Sequence, residues 1–505
     1  MTARRPWRGV ALPLVLLLGL GVLPFAGLVP DPLATDSSLV ATGIRARAPS
    51  HVRPSRQVYG YLPYWELDGS TADQLRYELL TTIALFGIGI TATGGLDRTT
   101  PGYASYLGKN ASDVINAAHA HGVRVVPTFQ LFDSGDLADL RAFLGRPAAQ
   151  QRFIGQAVEL IRLRRADGAN VDIEPVPDSL APQFTAFVAR FRAALRKRQP
   201  DSTLVVAMGA GASGSTIAKL VPHVDQIFVM AYDYRTTRSA RAGPVAPLDG
   251  KTRSVRADLA RYLRHAPAGK IILGMPAYGY DWPVQRASPN AAVQADSRRF
   301  GAAFPVTLGA ISRFLAIHPG LPVHYDATAD SPFFTYHDHL TGTYRQVWFE
   351  DQRSLGRKMD LALTSGIAGV GIWALDASPA FDPLWELLHE KLRAPTHRVV
   401  VRGSLFHLAR RGGRVEADIS AMVLNRGTVP EVGQLGWAIR DPGGQVVASG
   451  HVKLSVGTRG ARRPLFHVQL GRATQLRSGT YRLTLVFGAG ARHWAAPAFS
   501  FKQRY

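Results

Sequence analysis

The sequence predicts an α/β fold: a (β/α)8 barrel with a small α+β insertion between its seventh and eighth strands, followed by an all-β sandwich. Three observations carry this prediction. Eight short apolar runs recur along residues 57–393, helical patterns lie between several of them, and after about residue 394 the text changes to short alternating runs parted by glycines. Strand alternating with helix builds a parallel sheet. Eight such units fit a closed barrel carrying an insertion better than an open doubly wound sheet.

The elements follow in order. Arg4, Arg5 and Arg8 precede an uncharged stretch, residues 9–30, dominated by Leu, Val and Ala, the layout of an export segment. That stretch is long enough to span a bilayer, and no A-x-A site stands before Asp31. Residues 1–30 therefore read as a signal peptide or an uncleaved anchor with its basic end inside. In both cases the rest lies outside the cytoplasm, secreted or membrane-anchored at the cell surface. Residues 31–56, rich in Pro, Ser, Ala and Arg, read as a linker. The eight runs are residues 58–62, 82–88, 123–129, 169–173, 204–208, 227–232, 271–276 and 368–373. Phe184, Phe187, Val188, Phe191 and Leu195 mark one buried helix face. The insertion covers about residues 283–351, where 323–348 alternate like antiparallel strands. Residues 396–505, with alternating runs at 415–424, 435–439, 465–470 and 481–487, predict an Ig-like sandwich.

Composition sets further limits. Of 505 residues, 46% are hydrophobic and 19% charged, which describes a folded chain and excludes wholesale disorder. There is no cysteine, so disulfides, thiolate metal ligands and a thiolate nucleophile are all excluded. The net charge is +22, and residues 396–505 supply +13 of it, with 17 Lys and Arg against 4 Asp and Glu. A basic sandwich either docks on an anionic cell-wall polymer or is simply a solvated face. Export demotes nucleic acid as a partner. Gly209-Ala210-Gly211-Ala212-Ser213-Gly214 spells a dinucleotide fingerprint, but at the fifth strand rather than at the opening of the fold, in a chain with little access to NAD. His337 and His339 flank Asp338 without a third convergent ligand, so no metal and no cofactor are expected.

The strongest chemical signal is Asp167-Gly168-Ala169-Asn170-Val171-Asp172-Ile173-Glu174. In a strand, period two puts Asn170, Asp172 and Glu174 on one face and Val171 and Ile173 on the other. In a barrel the apolar pair faces the helices and the polar row points inward. A buried row of acids is costly unless it is satisfied and used. Glu174 closes the run before Pro175, and so emerges at the C-terminal mouth where barrel enzymes keep their sites.

This DGxxxDxE pattern resembles the signature of glycoside hydrolase family 18, the chitinase-like barrels that act on N-acetylglucosamine-containing glycans. Tyr59-Gly60-Tyr61 with Trp65 resembles that family's first strand, Met230-Ala231-Tyr232-Asp233 its sixth, Gly274-Met275-Pro276-Ala277-Tyr278-Gly279 its seventh and Gly371-Ile372-Trp373 its eighth. The segments 243–248, 278–282 and 348–351 resemble the bacterial spore-germination and cortex-lytic branch. Asn170 departs from the fuller DxxDxDxE form, which implies a changed environment for Asp172.

The resemblance implies cleavage in which the sugar supplies its own nucleophile. Glu174 would protonate the glycosidic oxygen and later activate water. Asp172 would orient the acetamido group that attacks, and Tyr232 would bond its carbonyl oxygen. Trp373 would form the apolar floor under the sugar. Asp233, Tyr278, Tyr61 and Trp282 would bind substrate, with Asp167 and Asn170 supporting the acid pair. The rival reading is a non-catalytic glycan-binding protein on the same barrel. Retention of Glu174 with Asp172 and Tyr232 favours the enzyme.

Overall fold

The computed structural model describes residues 56–503, except 134, 252, 377–380, 393–398, 426–430, 458–459 and 498. The expected export segment and nearly all of the linker lie outside the described residues. Among the described residues, no helix is long and apolar enough to cross a membrane. The chain divides into two compact units, Met1–Arg393 and Ala394–Tyr505.

In the first unit, eight parallel strands close into a barrel: Gln57–Pro63, Thr82–Ile90, Arg124–Phe132, Gly168–Glu174, Thr203–Gly209, Gln226–Met230, Ile271–Pro276 and Gly369–Trp373. The first strand pairs with both the second and the eighth, which completes the circle. Each strand falls on one of the predicted apolar runs, because a strand covered on both sides must be apolar on both. The outward side chains, such as Val171 and Ile173, join the surrounding helices in the main core. The inward set is a separate cluster built on Tyr59, Tyr61, Phe86, Val205 and Phe228. Phe228 fills the barrel centre because its neighbours are glycines: a Cβ on Gly274 or Gly371 would stand 2.4 Å or 2.1 Å from its ring.

The insertion is a five-stranded antiparallel sheet with the Leu308–Ile317 helix packed on it. Its sheet starts at Tyr278, only one residue beyond the seventh barrel strand, and not at the expected 283. Residues Tyr278–Val284 form a strand that pairs with Thr343–Trp348, Tyr280 opposite Trp348. Ser331–Asp338 and His324–Asp326 complete that side of the sheet. On the return to the barrel, Asp351 caps the Gln352–Thr364 helix by accepting from Ser354 N at 2.8 Å, and Lys358 bonds Glu350 at 2.7 Å with both side chains fully buried.

The second unit contains two antiparallel sheets. One is formed by Val399–Arg411, Arg414–Asn425, Ala461–Arg462 and Leu465–Arg472, the other by Glu431–Arg440, Val446–Val456, Gly479–Ala489, Arg492–Ala495 and Phe499–Gln503. Val415, Ala417, Ile419, Ala421 and Val423 alternate inward and share a core with Leu435, Ile439, Leu483, Leu485 and Phe487 from the other sheet. That alternation is the sandwich pattern read from the sequence.

Candidate active site

The fourth barrel strand carries its polar row into the barrel. Asn170 and Asp172 are buried and Glu174, last in the strand, is half-buried at the mouth. Asn170 Nδ2 donates to Thr128 Oγ1 at 3.3 Å, and its amide lies against the Tyr61 hydroxyl. The Asp172 and Glu174 side chains stand two residues apart on one face of the strand, close enough that each acts on the other's proton affinity. Two carboxyls so placed resist ionising together. Burial, then the neighbouring Glu174, pushes Asp172 well above the usual carboxylate range. Glu174 is pushed up to about 7, first by burial and then by the charge of Asp233, with Asp172 pulling the other way.

Past the sixth strand, Tyr232 lies within electrostatic reach of Asp172, Glu174 and Asp233. Burial and these carboxyls hold its hydroxyl proton firmly. Asp233 has a left-handed backbone, φ 58°. Its Oδ1 accepts from Tyr280 at 2.9 Å and from Tyr278. Burial raises its proton affinity while these two bonds lower it. Trp373 ends the eighth strand, half-buried, with its ring 4.7 Å from Phe86 and 5.3 Å from Tyr61. Three carboxyls and a tyrosine hydroxyl thus converge above an aromatic floor. Such a set can donate and take back a proton, and can hold an amide and an apolar ring face.

Two of the expected site residues stand elsewhere and a third lies beneath the site. Tyr61 is buried under the floor, 4.9 Å from Phe228 and 5.3 Å from Trp373, with its hydroxyl beside Asn170 and within electrostatic reach of Asp172 and Tyr232. Trp282 is fully buried in the insertion with Ala242, Val245, Phe333 and Trp348, its indole N–H donating to Thr236 O at 3.0 Å, so no surface is left for a sugar. Asp167 lies below the strand, accepting from Val125 N at 2.8 Å and bonding His119 Nε2 at 2.9 Å. Five residues at strand rise put it about 16 Å from Asp172, so it joins helix to barrel instead of supporting the acids. The sequence reading also passed over Phe86 and Phe132. Phe132 sits opposite Glu174 and is 52% exposed, stacking on Phe86, which in turn meets Trp65, 45% exposed. The only signal for Phe132 was its position at the C-terminal end of a strand, and Phe86, in the middle of its strand, carried none. His337 and His339 approach each other at 5.0 Å, and among the described residues no group of three or more such side chains could hold a metal ion.

A closed parallel barrel with paired carboxyls at its C-terminal mouth, over an aromatic floor, defines the chain as a glycosidase-type barrel. Residues 127–378 match the family described as Glycosyl hydrolases family 18, and the barrel belongs to that family. The chain is 31% identical over 239 residues to YdhD of Bacillus subtilis (strain 168), which carries the name of a sporulation-specific glycosylase, covering 46% of this chain and 52% of the relative. It is 26% identical over 266 residues to the cortical fragment-lytic enzyme of Bacillus anthracis, covering 50% and 56%. The chain thus spans about half the length of these curated relatives. The spore cortex-lytic enzyme SleL of Bacillus cereus shares the fold, with a TM-score of 0.52 at 21% identity over 68% of this chain and 75% of that one.

Proposed function

We propose that the chain is an exported glycoside hydrolase that cleaves N-acetylglucosamine-containing glycans with retention, the substrate's acetamido group acting as nucleophile. One observation carries this reading: Asp172 and Glu174 lie side by side on one strand face, each acting on the other's protonation. A retaining enzyme with its own nucleophile needs its two carboxyls about 5–5.5 Å apart across the sugar. Asp172 and Glu174 are neighbours on one face of one strand and do not flank a cleft, so Asp172 is placed to orient an amide rather than to attack carbon. Glu174, with a pKa about 7, is half-protonated at neutral pH, where a general acid works best. Tyr232 bonds the acetamido oxygen, Trp373 and Phe132 hold the sugar faces, and Asp233 binds hydroxyls.

The names of the Bacillus relatives and the basic sandwich favour peptidoglycan or cortex glycan over chitin, with residues 396–505 gripping an anionic wall polymer and residues 1–30 directing export. The test is a pair of oligosaccharides that differ only in the acetamido group. Purified protein should turn over the N-acetylated oligomer and leave the free amine intact. Equal hydrolysis of both would sink the substrate-assisted mechanism.

Because the Asp233 charge raises the Glu174 pKa, Asp233→Asn should lower it. The alkaline limb of the kcat/KM–pH profile, expected near 7 in the parent, then moves to lower pH. An unmoved limb would show that Asp233 does not act on the acid.

A further inference from the structure

The insertion holds a second concave site. A groove of about 470 Å³ opens on its sheet, lined by His324, Phe333, Thr335, His337 and Tyr344 with Pro289 beside them. This volume lies in the range of small-molecule sites, roughly 300–1,000 Å³. The strand register explains the lining. Phe333, Thr335 and His337 alternate onto one face of Ser331–Asp338, with His324 opposite Phe333 and Tyr344 opposite His337. The rings touch, His324 tilted against Phe333 at 5.4 Å and His337 edge to face with Tyr344 at 5.3 Å.

Three features identify what it takes. None of the lining residues is Asp, Glu, Lys or Arg, so the groove has no carboxylate, ammonium or guanidinium to pair with an ionic ligand. His324, His337 and Tyr344 are exposed and engage only neighbouring rings, leaving their imidazole nitrogens and hydroxyl to bond a ligand. Flat rings with polar edges match a sugar, which presents apolar C–H faces rimmed by hydroxyls. The groove is also joined to the active site through the sheet: Phe333 stacks on Trp348 at 4.3 Å, Trp348 lies opposite Tyr280, and Tyr280 bonds Asp233 at 2.9 Å. Three strand spacings separate Tyr280 from His324, about 14 Å.

We infer that this groove is an accessory glycan-binding site that holds a neutral stretch of the same polymer while the barrel cleaves another part of it. The inference rests on the proposed activity for the identity of the polymer, and the experiment separates the two. Full-length Glu174→Gln, with and without Tyr344→Ala and His337→Ala, is mixed with insoluble chitin and with peptidoglycan stripped of anionic polymer, in high salt to suppress the basic sandwich. The same double substitution in the active chain is assayed on a short soluble N-acetylated oligomer.

Loss of two ring contacts should weaken polymer binding by roughly 10-fold or more and leave short-oligomer turnover unchanged. Tyr344→Phe with His337 intact should retain most of the binding, showing that the rings and not the fold are at issue. Unaltered polymer affinity in the double variant, or no salt-resistant binding by the parent, overturns the groove. Absent turnover of the short oligomer by the parent overturns the activity instead, whatever the binding result.

Discussion

Glu174→Gln should lower kcat/KM on an N-acetylglucosaminide by roughly 10²–10⁴-fold, the usual contribution of a positioned acid, and at pH 8 it should make the protein more stable. Both effects come from the same carboxyl. Folding lifts its pKa to about 7, well above the value of about 4.3 in an unfolded chain, so the folded state favours the protonated form. The cost of ionising it is absent below pH 4, grows as pH rises between the two values, and is complete above 7. Glutamine has nothing to ionise, so the variant should melt above the parent at pH 8, by an amount worth up to about 4 kcal/mol, and level with it near pH 4. Activity scans and melting curves at the two pH values check this. Retained activity would remove Glu174 as the acid; an unchanged difference in melting between pH 4 and 8 would remove its raised pKa.

Gly168→Ala should have the largest effect on folding. Gly168 opens the strand that carries Asn170, Asp172 and Glu174, with φ 146°, and a Cβ there would stand 1.9 Å from the Thr203 carbonyl oxygen. The obstacle is backbone, and it lies at the residue paired with Gly168 in the fifth strand. No rotamer change relieves that, so the fourth and fifth strands must part locally. The expected loss is about 4 kcal/mol or more, at the severe end of single substitutions. Gly155→Ala makes a matched control, because that glycine sits exposed in the Pro147–Leu163 helix with nothing within 4 Å of the added carbon, and a gain of about 0.5–1 kcal/mol is expected there. Denaturant midpoints of the two variants measure both. A Gly168→Ala protein as stable as the parent would show that the strand start is not held as described.

Period two and buried apolar runs made the barrel legible. The run at residues 169–173 could alternate only one way, because the acids had to face the interior if Val171 and Ile173 were to meet the helices. Depth along a strand was not legible. Tyr278, Tyr280 and Trp282 share one face by the same rule, yet only the first two reach Asp233, and the third is sealed in the insertion. Asp167 shows the converse: it is adjacent to the acid run in sequence and lies at the far end of the barrel in space. The rim aromatics Phe86 and Phe132 belong to the packing of different strands around a common mouth, which no local pattern encodes. The early start of the insertion was hidden because its first strand follows the barrel strand after Ala277 alone.

That single-residue junction bears on the proposed cleavage. Ala277 N donates to Trp373 O at 2.7 Å, a Cβ on Gly279 would stand 2.4 Å from Trp348 O, and the outgoing end is pinned by the buried Lys358–Glu350 pair. Entry and exit are both pinned, which fixes the wall beside Asp233 at its two ends. Under the proposed activity that wall is a mould, to which a bound sugar conforms.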